Sequence, residues 1–558
     1  MKWCVAYILI AMGLSIGLPS AFVTLGWGAT EQRLLLAAIL IPVLIAIGVV
    51  TAFKARIRKI PPATPNVRAL HAWLGAPLAL MMFVISFSGA VALFKPEIHI
   101  WESPTARITL TEPFIEVDTY ARTLADIGQT HGDIDYIFVS RPRTDKPYFD
   151  IAAQVKGKSA RRIGTYESRD PHTGKIMPTD TDKLSTWLRS VHSDLSYRKK
   201  RGRKIKGRTV LGVLGVFILV ILLAGMLSHK HLFRSLFTWR PTAPAPMRWR
   251  DTHNALGAWV LVFALVMTAT GASIALIKPL IPIVSSLAQN GDLKSARDLV
   301  AGEIKPTGRT AEMMNIDSLF LRAATELDGN MPLAVRIINW NDRNAHAIFI
   351  WAPTKEITSA AQIKLNAVTG ALISKNISEI GGYAGRIDSM LPALHYAKYG
   401  RGTVGSLGLR LIYAILGLAL AFTSVSGFYY WILKQKLKTK NPKTLRAFSH
   451  LVRLTLGICM GMVVATAGIF LTYSLWPKAN VAQAYFGIWS VCIIWAFVRD
   501  SAFKDMCLMI TALCVGAVSM ASIPMAIGNT PTHASAIGVN ISLIFCAITA
   551  WKCYKYTP

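Results

Sequence analysis

Four histidines recur in register, and they are the residues of this chain best suited to chemistry. His71 lies in Arg68-Ala-Leu-His-Ala-Trp-Leu-Gly75 and His253 in Asp251-Thr-His-Asn-Ala-Leu-Gly257. Each opens an apolar run that ends on a small residue and a glycine, Ser88-Gly89 in one and Thr270-Gly271 in the other. The glycine follows the histidine by 18 positions in both (89 − 71 and 271 − 253), and both runs then meet Lys-Pro, at Lys95-Pro96 and Lys278-Pro279. His192 and His395 stand before two further apolar runs, which close on Ala224-Gly225 and Ser426-Gly427. A neutral imidazole is a metal ligand, a proton shuttle near neutral pH, or an interfacial anchor. One such residue at a membrane surface is usually an anchor; four at equivalent places in a duplicated unit favour ligation over anchoring.

The elements that must position these side chains are membrane helices. The 558 residues are 53% hydrophobic and only 16% charged. Their apolar residues gather into runs of about 17–25, the length that crosses about 30 Å of hydrocarbon as helix. Ten runs are expected, near 3–27, 34–53, 73–94, 209–228, 255–277, 408–432, 453–476, 479–498, 506–528 and 535–551. The net charge of +31 does not imply nucleic acid, because the basic residues concentrate in short loops at 54–70, 229–252 and 433–452. Such loops mark the cytoplasmic face. Their parity puts both termini inside and segments 96–208 and 278–407 outside, which in a bacterial inner membrane means the periplasm.

The layout is then two leading spans (1–60), a core span (66–96), a first external domain with an interfacial helix (97–196) and a pair of core spans (205–280). A second external domain (281–400), a fourth core span (404–434) and four closing spans (450–553) complete it. Strands are expected at Asp135–Val139, Tyr148–Ala152 and Thr165–Asp170, and again at Val335–Ile338, Ala347–Trp351 and from Ile363, each domain ending on a strand followed by Thr-Gly. Leu184, Trp187, Leu188, Val191 and Leu195 fall at helical spacing, as for a helix lying on the membrane surface. The seven cysteines all lie in or beside the spans, so no disulfide framework is implied, and no C-x-x-C-H offers covalent haem attachment.

With that topology, His71 and His253 meet the cytoplasmic face, and His192 and His395 the external face. Two imidazoles at each face are the axial set for two stacked, non-covalent haem b groups. His229 and His231 lie at a similar depth to His71 and His253 and are alternative ligands on that side. Quinone binding and proton relay are the other intramembrane uses of such residues. The run Arg198, Lys199, Lys200, Arg201, Arg203, Lys204, Lys206, Arg208 lies outside. It would dock on anionic lipid headgroups or steer an anionic substrate.

The ordered motifs Leu70–Gly75, Val191–Leu195, Ala224–Phe233 with Leu236–Pro241, Asp251–Asn254 and Leu394–Gly400 resemble those of the PepSY-associated transmembrane family. Its iron-regulated members include bacterial inner-membrane ferric-siderophore reductases. The resemblance covers roughly 66–476. It implies a polytopic α-helical protein with two α+β PepSY-like periplasmic domains inserted in a duplicated unit. It also implies two haems held by His71, His192, His253 and His395, a ferric-siderophore substrate, and a cytoplasmic or quinol electron donor. Two rivals stand beside this reading: a non-redox anchor for peptide-binding or protease-regulating domains, and a transporter, a class in which repeats are common.

Overall fold

The structure is a computed structural model and describes residues 64–144, 146–178, 183–195, 207–228, 236–288, 305–351, 361–377, 390–397 and 404–557. The two leading spans, His229, His231 and residues 198–206 of the basic run lie outside the described residues.

Among the described residues, eight helices are long and apolar enough to cross a membrane, and they coincide with the last eight expected runs. The core four are α1 (Thr64–Ala92), α5 (Gly207–Ser228), α6 (Ala245–Ala288) and α8 (Val404–Lys436). They pack in the cyclic order α1–α5–α6–α8, which places α1 and α6 on one diagonal. Small residues bring the backbones together: a Cβ on Gly215 would stand 3.1 Å from that of Ala272, and one on Gly417 would stand 3.4 Å from that of Ala90.

The two Lys-Pro sites behave differently. Helix α1 stops at Ala92, and α2 (Lys95–Glu102) restarts with proline in its first turn, where the missing N–H costs nothing. In the second repeat the helix runs through Lys278-Pro279 to Ala288, so α6 is 44 residues long rather than ending near 277.

The external segments do not make two separate sheets. Strands β1 (Ile134–Ser140), β2 (Phe149–Val155), β3 (Tyr166–Arg169) and β4 (Ile176–Met177) come from the first repeat. The second repeat adds β5 (Ala334–Ile338), β6 (His346–Ile350), β7 (Ala361–Asn366) and β8 (Leu372–Ile377). All join one antiparallel sheet in the order β4-β3-β2-β1-β5-β6-β7-β8. The seam is β1 on β5, where Phe138 faces Arg336 and Val139 faces Val335. Each Thr-Gly expected to close a domain is instead a turn into one further strand, β4 or β8.

Alternate residues of the central strands (Ile137, Ile151, Ile337, Phe349, Ile363) are fully buried under helices α3 (Asp118–Gln129) and α7 (Ile316–Thr325). These two helices cap each other. The Asp317 carboxylate accepts from the amides of Val117 (2.9 Å) and Asp118 (3.1 Å), and Asp118 accepts from that of Ile316 (2.9 Å).

Helix α4 (Lys183–Asp194) carries His192. Its apolar face, Leu184, Leu188 and Val191, is buried against protein, in one hydrophobic cluster with α1, α2 and the closing helices. Three residues of the stripe expected to face lipid are thus satisfied within the fold, while Trp187 and Leu195 stay partly exposed. The closing helices are α9 (Pro442–Leu475), α10 (Val481–Val498), α11 (Ala502–Ala526) and α12 (Ala534–Tyr556). The buried amide of Asn540 accepts from the Trp101 indole (2.8 Å) and donates to Ser522 (3.0 Å), which fastens α2 to this bundle.

Candidate cofactor site: two pairs of seated imidazoles

The four repeat histidines meet in pairs, one from each repeat. The rings of His71 and His253 face each other from the diagonal helices with centroids 6.0 Å apart. Those of His192 and His395 have centroids 6.2 Å apart and planes within 23°. His395 comes from a short helical turn at 390–396.

Each ring rests on one of the four glycines. A Cβ built on Gly89 would lie 2.9 Å from Cε1 of His192, and one on Gly225 2.9 Å from Cε1 of His71. On Gly271 it would lie 2.7 Å from Cε1 of His395, and on Gly427 2.6 Å from Cε1 of His253. The small-Gly pairs are thus seats, and only glycine lets the ring approach the helix backbone so closely.

The seat also fixes the tautomer. Nδ1 of His71 donates to the carbonyl of Ile221 (2.9 Å), that of His192 to Ile85 (3.0 Å), and that of His253 to Thr423 (2.9 Å). In each case the carbonyl belongs to the residue four before the seat glycine (225 − 4, 89 − 4, 427 − 4). A carbonyl can only accept, so the proton is on Nδ1 and Nε2 carries the ring's lone pair. In the fourth seat the Thr270 hydroxyl donates to Val266 O (2.7 Å) and so accepts from Nδ1 of His395 (3.1 Å). Such an anchor on the far nitrogen is what orients a metal-ligating imidazole.

Electrostatics favour the neutral ring in the second pair. Burial pushes the His192 imidazole below its ordinary value. Burial, then the neighbouring His192, holds that of His395 down to about 3, and the charge of Arg208 adds to the depression. Arg208, the last residue of the basic run, is therefore within electrostatic reach of this pair.

Depth follows from helix geometry. His71 and Gly89, the seat of His192, share α1 and are 18 residues apart, or about 27 Å at 1.5 Å per residue. The two pairs therefore sit near opposite ends of the core bundle. At one end, Asp251, two residues before His253, takes a two-point contact from Arg240 (2.8 and 2.9 Å) and another from Arg250 (3.2 Å), pinning the start of α6.

The donor geometry fits a planar macrocycle. Two imidazoles on opposite sides of one metal, about 2.0 Å away each and with ring radii near 1.1 Å, have centroids about 6.2 Å apart. Among the described residues no group of three or more His, Cys, Asp or Glu could hold an ion by itself. Each pair brings two imidazoles together, one from each repeat, whose Nε2 atoms are not taken up by the Nδ1 anchors.

A helical membrane bundle with a duplicated unit, paired histidines and a shared sheet domain is defined by these features. Residues 68–434 match the sequence model of the PepSY-associated TM region, and the chain belongs to that family. A Pseudomonas aeruginosa protein described only as uncharacterized is 26% identical over 288 residues, covering 50% of this chain and 72% of that protein.

Proposed function

We propose that this protein is a di-haem b reductase of the bacterial inner membrane, with both termini cytoplasmic, that passes electrons outward to ferric-siderophore iron in the periplasm. The observation that carries the reading is the pairing of four imidazoles across the bundle, each seated on a glycine and anchored through Nδ1. His71 and His253 would hold the inner haem, His192 and His395 the outer.

A bound haem supplies one-electron redox chemistry. The chain's own work is to fix ligand orientation, keep the imidazoles neutral and exclude water. Two centres about 27 Å apart along α1 serve the two faces of a slab about 30 Å thick, which one centre could not. The donor would be a cytoplasmic reductant or a quinol; the basic run ending at Arg208 would gather anionic chelates or lipid headgroups beside the outer centre.

The test is the absorbance spectrum and haem content of the purified protein. Two haems per chain, with a reduced b-type spectrum that a ferric siderophore reoxidises, are expected. A colourless protein would remove the redox reading and leave the anchor or transporter.

A further inference from the structure

One cluster of buried titratable groups lies outside the imidazole pairs. The side chain of Glu102, the last residue of α2, has no exposed surface. It accepts from the amide of Leu184 (2.7 Å) and, through both oxygens, from that of Ser185 (3.2 and 3.3 Å). These amides belong to the first turn of α4, where helix N–H groups lack partners and the dipole favours a negative charge. Nδ1 of His99 lies 3.6 Å from the carboxylate, and Nε2 of His99 is 2.7 Å from the hydroxyl of Tyr148, which leads into β2.

A buried carboxylate is costly unless hydrogen bonds or an opposite charge offset its desolvation. Burial raises this carboxyl, while contacts from His99, Ser185 and the amide of Leu184 oppose the rise. Its distinctive act is to hold α4 at the end opposite His192. That helix is then gripped twice by one continuous stretch of chain: by Glu102 at its start, and by Gly89 and Ile85 of α1 at His192. With both ends fixed, the angle at which the imidazole leaves its seat is fixed too.

We infer that Glu102 is a positioning residue for His192 and sets the geometry of the outer imidazole pair. The spectroscopic part of this inference rests on the haem reading; the anchoring part does not.

The experiment compares the full-length wild type with Glu102→Gln and Glu102→Ala, by amide hydrogen exchange at residues 184–185 and by spectroelectrochemical titration of both centres. Loss of such a cap should speed exchange about tenfold in Glu102→Ala. Glutamine keeps one acceptor oxygen but turns its NH2 group on a second donor, so about threefold is expected. The potential and reduced spectrum of the outer centre should shift in the same order, with the inner centre unmoved. Wild-type exchange with an unshifted outer centre in Glu102→Ala overturns the inference, as does equal loss of both centres. If the alanine variant does not accumulate, the glutamine variant decides: faster exchange with a shifted outer centre supports the anchor, and wild-type behaviour overturns it. A wild type without haem refutes the haem reading alone, since exchange still reports on the anchor.

Discussion

Replacing Gly89 with alanine adds a single methyl group in a helix whose propensity that change improves by about 1 kcal/mol. The backbone therefore gains, and any loss must come from the seat. The new carbon would stand 2.9 Å from Cε1 and 3.0 Å from Nδ1 of His192, well inside ordinary contact. Relieving that overlap means sliding the ring outward, which stretches the 3.0 Å bond to Ile85 O. Overpacking costs about 1–3 kcal/mol and a lost hydrogen bond about 0.5–1.5 kcal/mol, so about 2–4 kcal/mol falls on the ligated geometry. At about 1.4 kcal/mol per decade, that is about 30- to 700-fold in haem affinity at the outer site.

The assay is haem content together with the reduced spectrum and redox titration of each centre. Gly75→Ala on the same helix is the control, because its new methyl would meet only Cγ2 of Ile221, at 3.9 Å. The expected result is loss or marked perturbation of the outer centre in Gly89→Ala, an intact inner centre, and a wild-type Gly75→Ala. Full haem and unshifted spectra in both Gly89→Ala and Gly271→Ala would refute the seat.

The other seats and ligands give further expectations. Gly427→Ala, whose methyl would meet His253 at 2.6 Å, should spare the outer centre and impair the inner one, read by the same titration. His395→Ala should lose about half the haem, since one of two paired imidazoles goes; full retention there and in His192→Ala would break the outer pairing. Asp118→Ala removes the cap on α7 and should destabilise the sheet domain by about 1–2 kcal/mol in a denaturant titration. Backbone amides of Thr307, Gly308 and Asn344 hold the Asp342 carboxyl below its ordinary 3.8. Its contribution is thus present above pH 3.8 and lost as pH falls through the lower folded value. Asp342→Asn should lower the melting temperature at neutral pH, with the gap closing in acid. Neutralising four charges between Arg198 and Arg208 should slow reduction of anionic chelates at low salt and leave neutral ones unchanged.

Much of the architecture was legible because its signals are local. Eight spans and six of the strands follow from run length, alternation and the repeat. The glycines were visible too, at a constant 18 residues from His71 and His253, but their role was not. A seat serves a ring from another helix: Gly89 receives His192, and Gly271 receives His395. Spacing along α1 therefore records the depth of two sites and not a contact. The recurring offset of four between seat and anchoring carbonyl is a signal that could have exposed it. The continuous sheet was hidden for a similar reason, since β1 and β5 are nearly 200 residues apart in sequence and either half could close on itself. Glu102 carried no signal in the sequence; only its distance to the amides of α4 reveals its role. The amphipathic stripe of α4 read as a membrane surface because its main partners, α1 and α2, are separated from it in sequence by the strands of the first external segment.

The division of each histidine pair between repeats has a consequence for assembly. His71 and His192 belong to the first repeat and His253 and His395 to the second, so neither half owns a complete site. The seam strands pair antiparallel as two equivalent strands would across a twofold axis, and the Asp118 and Asp317 caps are exchanged across it. A single unit of this design would carry only half of each pair and would complete both as a homodimer, with isologous contacts of the kind that closed symmetry favours. With the two units joined in one chain, the four-helix extension α9–α12 follows one unit only and makes the two ends of the molecule different.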